Sequence, residues 1–163
     1  MNILELNKKL RTFFWKDFCD NYLELVKSRI YNEKGDKKIS AQYSLYTSLL
    51  TILKMIAPIM PYVTEEIYQE HFKKFEKTKS IHLTDWPIEF GYKIMNGNDW
   101  FVLVDIISKV RKKKSDENKS MKAEIILTMD ESFKTRLKDY FDDLIAVTNA
   151  KEIKVGKFGV EVL

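Results

Sequence analysis

The sequence has little cysteine, histidine, proline or glycine, and each shortage narrows what the protein can be. Its single cysteine, Cys19, cannot form a disulfide within the chain, which fits a reducing compartment such as the cytosol. Two histidines and one cysteine are too few for the usual zinc site within one chain, so we expect no metal. Five glycines and three prolines among 163 residues favour long regular elements, mostly helices.

Membrane segments and the common catalytic motifs are also missing from the sequence. No apolar run approaches the roughly 20 residues of a membrane-spanning helix, and the residues after Met1 do not resemble a signal peptide. We find no glycine-rich phosphate loop and no credible Ser/His/Asp or Cys/His set. Glu65 and Glu66 are adjacent, so on a helix they would point about 100° apart and could not flank a substrate bond. We therefore predict no catalytic residue and no cofactor.

The composition is that of a folded globular protein with an uneven charge. Hydrophobic residues make up 45% and charged residues 32%, and the net charge is +4. The window 109–122 holds seven basic and two acidic residues, a net charge of +5, so the rest of the chain is close to neutral. Such a window can contact a phosphate backbone, or it can be a solvated helix end with a loop. Composition alone favours the solvated end.

Helical spacing dominates the first part of the chain. A first helix is predicted from Ile3 to about Tyr31, with apolar residues on two faces, as in a bundle. Gly35, in the polar turn Asn32–Ile39, can stop it, and Ser40 can cap a second helix that runs to Ala57. The apolar residues of the first helix form two stripes, Leu10, Phe14, Phe18, Tyr22 and Leu25 in one and Trp15, Cys19, Val26 and Ile30 in the other.

A corner with two prolines, Leu49–Gln69, follows. Pro58 must end or kink the second helix, and Pro61 suits the first position of a third helix that runs to about Phe75. Glu65 and Glu66 then lie near the positive end of that helix. The predicted core side of the corner consists of Leu49, Ile52, Leu53, Ile56 and Ala57 before the bend, and Val63, Ile67 and Tyr68 after it.

The middle of the chain contains the best internal boundary. Ser80–Pro87 is predicted as an extended piece with Trp86 as its packing anchor and His82 as a half-buried strand residue without chemistry. Ile88–Asn98 is predicted as a loop. Asp99 is a plausible cap for a fourth helix, Trp100–Lys114. The predicted buried face of this helix consists of Trp100, Leu103, Ile106, Ile107 and Val110.

Beyond Lys122 the apolar period changes from helical spacing to two. Ala123, Ile125 and Leu127 alternate with other residues and predict a strand. Ser132 or Asp130 can cap a short helix with Leu137, Tyr140, Phe141 and Leu144 on its core side. Short strands are predicted at Ala146-Val147, Ile153–Val155 and Phe158–Val162. The predicted fold is mainly α: an antiparallel helical bundle over 1–98, then a bridging helix and a small α/β subdomain over 99–163.

Several segments resemble one protein family. The corner residues Ala57-Pro58, Met60-Pro61 and Val63–Tyr68 resemble the hallmark of the anticodon-binding helical domain of class I aminoacyl-tRNA synthetases of the Val/Ile/Leu subgroup. Phe13–Arg29 is similar to the valine-specific members and less similar to the isoleucine-specific ones. Further similar segments follow in the family's order, Ser80-Ile81-His82 with Trp86-Pro87, and Ile107–Met121.

The resemblance implies a tRNA-binding part of a larger, cytoplasmic, ATP-using valine–tRNA ligase. Its expected partners are the tRNA anticodon stem-loop and the catalytic and editing domains of the same enzyme, with a further bundle helix expected ahead of residue 1. The fragment would have no active site, no cofactor and no membrane contact. Lys113-Lys114-Ser115 and Asn118-Lys119-Ser120 look like the family's catalytic Lys-Ser loop, but they lack its full pattern and its fold context.

Candidate RNA contacts follow from the chemistry of the side chains. Lysine and arginine would contact phosphates, while Phe14 or Trp15 would stack on an unpaired base, although core packing is the alternative for each aromatic residue. Two other functions stay open: the same region of an isoleucine enzyme, and a helical protein-interaction module without RNA. The candidate phosphate contacts are Arg11, Lys16, Lys27 and Arg29 on the first helix, and Arg111, Lys112, Lys113 and Lys114 on the fourth.

Overall fold

The chain divides into two compact units, and the computed structural model describes residues 3–88 and 97–163. The first unit comprises Met1–Asp20 and Glu33–Tyr92, and the second comprises Asn21–Asn32 and Lys93–Leu163. The predicted division at residue 98 stays a prediction. The sequence did not predict that Asn21–Asn32 groups with the later unit.

Helical residues run from Ile3 to Tyr31, as the sequence predicts. Helix α1 (Ile3–Thr12) is followed by a π-helical stretch, Phe13–Tyr22, and then by α2 (Leu23–Tyr31). Leu10, Phe18, Leu25 and Val26 are buried, but Trp15 is 58% exposed, so the second predicted stripe is wrong at that residue. A π turn takes more residues than an α turn, so a stripe counted at α-helical spacing does not stay on one face.

The start of α3 (Asp36–Ile56) corrects two predictions about caps. Gly35 has a φ of 65° and directly precedes α3, so it opens this helix instead of stopping the first one. The Ile39 amide already donates to the Gly35 carbonyl at 3.1 Å. Ser40 therefore lies inside the helix and is not its cap.

The two-proline corner forms as predicted, but its buried face differs in two places. Leu50, which was not predicted, is buried, while the predicted Leu49 is only partly buried. Pro61 opens α4 (Pro61–Ile67), which continues as a π-helical stretch, Tyr68–Phe72. Val63 is 47% exposed, and Thr64 is buried in its place, with its hydroxyl donating to the Met60 carbonyl at 2.9 Å. The core of this corner consists of Leu50, Leu53, Ala57, Tyr68, Phe72 and Ile81.

The segment after the corner is not the predicted extended piece. Ile81–Leu83 forms a turn of 3₁₀ helix, and the Ser80 hydroxyl accepts a hydrogen bond from the His82 amide at 3.2 Å. Ile81 is the buried anchor of the segment, whereas Trp86 is 60% exposed. His82 is exposed in the turn and is not a half-buried strand residue. A local side-chain cap at Ser80 therefore overrides the extended pattern.

The second unit is organised around α5 (Gly97–Asp116). Four of its residues form the predicted buried stripe, while Trp100 is only partly buried. Asp99 lies within the first turn of α5, where it pairs with Arg136, so the prediction that it caps the helix is wrong. The predicted loop Ile88–Asn98 falls mostly outside the described residues. The buried stripe consists of Leu103, Ile106, Ile107 and Val110.

A three-stranded sheet packs against this helix. Its order is β2-β1-β3, with β1 (Ile125–Met129) parallel to β2 (Ala150–Val155) and antiparallel to β3 (Gly159–Val162). Along β1, residues 125, 127 and 129 are fully buried and residues 126 and 128 are partly exposed, which confirms the predicted period of two.

The single short helix predicted after β1 is interrupted: a 3₁₀ turn, Lys138–Tyr140, separates two short α-helices, and a predicted strand falls in the second of them. Asp130 caps α6 (Glu131–Arg136) by accepting from the Ser132 amide at 2.9 Å. Ala146-Val147 lies within α7 (Phe141–Thr148) and forms no strand. A short apolar run fits a helix as well as a strand, and only the structure separates them. The mainly α fold with a small α/β subdomain is confirmed. None of the described helices is long and apolar enough to cross a membrane.

Candidate nucleic-acid interface

One face of the first helical run carries a basic and aromatic groove, here called the Trp15 groove. It is a shallow, open groove with a volume of about 450 Å³. Its residues recur at steps of three and four, which places them on one side of the helix. Trp15 presents most of its indole to solvent. The groove is lined by Asn7, Lys8, Arg11, Thr12, Trp15 and Lys16.

The Trp15 groove brings together two predicted phosphate contacts and one predicted stacking residue. Arg11 and Lys16 both line it beside the indole, and Lys8 joins them although the sequence reasoning missed it. The signal for Lys8 was its spacing, three residues before Arg11 and seven before Trp15. As RNA contacts, these residues stay predictions.

Phe14 packs between the exposed Trp15 ring and the buried Phe18 ring. Its ring meets Trp15 edge-on, with 5.3 Å between centroids, and stacks on Phe18 at 6.2 Å. Phe14 is half-buried and Phe18 is buried. Aromatic pairs at these distances restrict each other's rotation. Phe14 therefore orients the indole of Trp15, and Trp15 offers the larger exposed ring face.

A second basic surface lies at the end of α5. Lys112 and Lys113 are exposed there, and Arg111 is partly buried with a donor 3.5 Å from the Asn21 side-chain oxygen. Lys113 pairs with Glu117 at 2.7 Å, and this hydrogen bond and the nearby charge raise the pKa of Lys113. An exposed ion pair of this kind contributes little free energy, so Lys113 can leave Glu117 for an RNA phosphate, and Lys112 is exposed as well.

Lys114 does not belong to that surface. It is 1% exposed, and its ammonium donates to the carbonyls of Met121 at 2.9 Å and Thr148 at 2.8 Å. Burial lowers the pKa of Lys114. This burial contradicts the prediction that Lys114 contacts a phosphate. The sequence contained the reason, since Lys114 follows Val110 by four residues and Ile107 by seven and so continues the buried stripe.

Arg29 is also engaged within the fold. Its Nε donates to Asp143 Oδ1 at 2.6 Å and its Nη2 donates to Oδ2, a two-point pair with a carboxylate that is almost fully buried. The hydrogen bond to Asp143 raises the pKa of Arg29. In the fold Arg29 therefore joins α2 to α7, and its contact with an RNA phosphate stays a prediction. Lys27 is exposed and pairs with Glu24 on its own helix.

Glu65 connects two of the family-like segments. One carboxylate oxygen accepts from the Ser80 hydroxyl at 2.8 Å and from the Ile81 amide at 3.0 Å, and the other accepts from Gln69 at 2.5 Å. Burial raises the pKa of Glu65, but these hydrogen bonds outweigh burial, so the pKa lies below its usual value. A carboxylate with this many donors has a structural role and is a poor acid or base.

Metal ligands do not cluster in the described part of the chain. Over residues 3–88 and 97–163, no group of three or more His, Cys, Asp or Glu side chains is arranged to hold an ion. Cys19 is a free, partly buried thiol whose pKa is raised by burial and by Asp20. Lysine and arginine side chains, with one exposed indole, are the chemical groups that these two surfaces offer to a ligand.

Comparisons with known proteins point in one direction. The sequence model of the anticodon-binding domain of tRNA ligase matches residues 1–129. A valine–tRNA ligase of Orientia tsutsugamushi (strain Boryong) is 39% identical over 155 residues, which covers 88% of this chain and 18% of that protein. The valine–tRNA ligase of Rickettsia prowazekii (strain Madrid E) is 40% identical over 161 residues, which covers 94% of this chain and 18% of that protein. The valine–tRNA ligase of Pyrococcus furiosus is 39% identical over 82 residues, which covers 50% of this chain and 9% of that protein. The chain spans at most 18% of the length of these relatives.

Proposed function

Because this chain belongs to the family of anticodon-binding domains of tRNA ligases, we propose that it binds the anticodon stem-loop of valine tRNA. It does so as part of a valine–tRNA ligase, whose other domains attach valine to the tRNA with ATP. The relatives named above are valine–tRNA ligases, which favours valine over isoleucine and argues against a protein-interaction module without RNA. A cytoplasmic location is part of the proposal.

The observation that carries this proposal is the composition of the Trp15 groove. An exposed indole stands among three cations, Lys8, Arg11 and Lys16, on one helical face. Unpaired RNA bases stack on aromatic rings while cations contact the phosphates between them. A stacked base contributes about 1–3 kcal/mol, so a single ring can separate a well-placed base from a misplaced one.

The two basic surfaces have different parts in this proposal. Trp15 and its flanking cations meet the unpaired loop, where a base can turn outward. Lys112 and Lys113 at the end of α5 contact phosphates and fix the register, without reading sequence. The chain itself does no chemistry, because the matched region is the anticodon-binding domain of such ligases and not their catalytic part. No cofactor is needed for this binding.

The test is a binding titration of the chain with three RNAs. These are a valine tRNA transcript, the same transcript with its anticodon bases replaced, and one with a changed acceptor stem. We expect the anticodon change to weaken binding by about two- to tenfold, because bases differ in how strongly they stack, and the acceptor-stem change to have no effect. Affinity should also fall steeply between about 50 and 200 mM salt, because phosphate contacts release counterions. Equal affinity for all three RNAs would remove the recognition role, and absence of RNA binding would remove the function.

A further inference from the structure

The loop between α5 and β1 is tied down at two successive carbonyls. This basic loop, Glu117–Lys122, carries two exposed lysines, Lys119 and Lys122. The buried ammonium of Lys114 donates to the carbonyl of Met121 at 2.9 Å. The side-chain amide of Asn149 donates to the carbonyl of Lys122 at 2.7 Å.

Both restraining side chains are anchored at the end of α7, although Lys114 itself belongs to α5. Lys114 also donates to the carbonyl of Thr148, the last residue of α7, which would otherwise lack a partner inside that helix. Asn149 follows in the left-handed region, with φ of 56°, and its backbone amide donates to Ile145. Asparagine is one of the few residues that tolerate this conformation. The end of α7 is thus a fixed base from which the loop is held.

The near end of the basic loop is held as well. Asn118 takes a left-handed conformation, with φ of 53°, just after α5 ends. The Lys119 amide then donates back to the Lys114 carbonyl at 2.8 Å. Lys114 therefore holds the loop twice, at Lys119 through its backbone carbonyl and at Met121 through its ammonium. The backbones of the two exposed lysines are fixed before any ligand arrives.

A groove of about 710 Å³ borders the loop on this side. Arg111 and Lys122 line it, together with Met121 and Asn149. The ammonium of Lys114 cannot reach an RNA phosphate, because the whole side chain is buried. Its charge is met by two neutral carbonyls, so it adds positive potential to the groove without contacting a ligand.

We propose that Lys114 and Asn149 are positioning residues that hold the basic loop so that Lys119 and Lys122 contact RNA phosphates. Holding the loop in advance removes the entropy that ordering it on binding would cost. The inference rests on the proposed function, because it assumes that the bound molecule is RNA.

The decisive variant is Asn149→Gly. Glycine keeps the left-handed backbone at this position and leaves the net charge unchanged, but it removes the hydrogen bond to Lys122. We expect about three- to tenfold weaker binding of the valine tRNA transcript, because the loop must then be ordered when the RNA binds. The slope of log affinity against log salt should also become shallower by the amount that corresponds to about one lost phosphate contact. Lys114→Met should act in the same direction, while Lys138→Met, which removes an exposed lysine of the same unit, should leave affinity within twofold.

A double-mutant cycle separates positioning from general stability. In a Lys119→Gln, Lys122→Gln background, Asn149→Gly should cost nothing further, because the lysines it positions are gone. A loss of the same size in both backgrounds would mean that Asn149 supports only the fold, and would overturn the inference. Wild-type affinity for both positioning variants would overturn it as well.

Hydrogen exchange on the unaltered chain tests the inference even if the variants fail to fold. The amides of Lys119 and Ala123 donate to carbonyls within the loop region, and we expect both to be protected from hydrogen exchange without RNA. Exchange at the rate of an unfolded peptide would overturn the inference, even if tRNA binds. Failure of the unaltered chain to bind any tRNA would overturn the proposed function, and the inference with it.

Discussion

The carboxylate of Glu65 accepts a hydrogen bond from the Ser80 hydroxyl at 2.8 Å, across fifteen residues of sequence. The same oxygen accepts from the Ile81 amide, and Ile81 is the buried anchor of the turn. One side chain of the two-proline corner therefore fixes the segment that follows it. The two family-like segments stay in register because a hydrogen-bonded carboxylate joins them.

Replacing Glu65 should destabilise the first unit in a pH-dependent way. We expect Glu65→Gln to lower the free energy of unfolding by about 1–2 kcal/mol at neutral pH, since hydrogen bonds to a charged group are lost. The folded pKa of Glu65 lies below its usual value, so its contribution is complete above the unfolded pKa. That contribution is lost as pH falls through the folded pKa. Urea titrations at several pH values should therefore show that the free energies of unfolding of the unaltered chain and of Glu65→Gln become equal in acid.

Glu66 provides the matched control for this prediction. It is exposed and directly follows Glu65 in the sequence. Glu66→Gln should change the free energy of unfolding by less than about 0.5 kcal/mol at any pH. A Glu65→Gln protein as stable as the Glu66→Gln protein would show that the link to Ser80 contributes little.

The ion pair between Arg29 and Asp143 should matter for folding and not for RNA. Arg29→Lys keeps the charge but loses the two-point geometry, so we expect a loss of about 1–3 kcal/mol in urea unfolding. Lys27→Met, which breaks only the exposed pair with Glu24, should cost under about 0.5 kcal/mol. At a temperature where all three proteins are folded, Arg29→Lys should bind tRNA like the unaltered chain. A selective loss of tRNA affinity would instead support the predicted contact of Arg29 with an RNA phosphate.

The cations of the Trp15 groove should contribute to the salt dependence of binding. We expect Lys8→Gln and Lys16→Gln each to make the plot of log affinity against log salt shallower by about 0.7–0.9, the value of one phosphate contact. Lys77→Gln removes an exposed lysine of the same unit outside the groove and should leave the slope unchanged. Isothermal or anisotropy titrations at four salt concentrations measure all three. If both groove variants kept the slope of the unaltered chain, Lys8 and Lys16 would not contact the phosphate backbone.

Sequence periodicity was sufficient for the long first helical run, for α5 and for the first strand, because those signals are local and repeated. The stripe Leu103, Ile106, Ile107 and Val110 is buried as predicted, and β1 alternates as predicted. The same spacing would have identified Lys114 as buried, had its position been weighed above its charge. A lysine on a core face was taken for part of a surface cluster because its neighbours Lys112 and Lys113 are exposed.

The remaining errors arise where local hydrogen bonds decide the backbone. Gly35 opens α3 because it takes a positive φ, which displaced the expected cap from Ser40. Ser80 caps a 3₁₀ turn, which replaced the expected extended segment. Trp15 lies in a π-helical stretch, which has more residues per turn than an α-helix, and the apolar pattern of the sequence does not predict this change. The pairing of Arg29 with Asp143 spans 114 residues and has no local signal at all.

The most direct test of the account compares two exposed tryptophans of the same unit. Trp15 is 58% exposed and Trp86 is 60% exposed, so replacing either with alanine costs little in folding, but only Trp15 stands among the groove cations. We predict that Trp15→Ala weakens binding of the valine tRNA anticodon stem-loop by about 5- to 150-fold, the equivalent of one stacked base. Trp86→Ala should bind like the unaltered chain. Equal affinity of the Trp15→Ala protein and the unaltered chain would contradict the account.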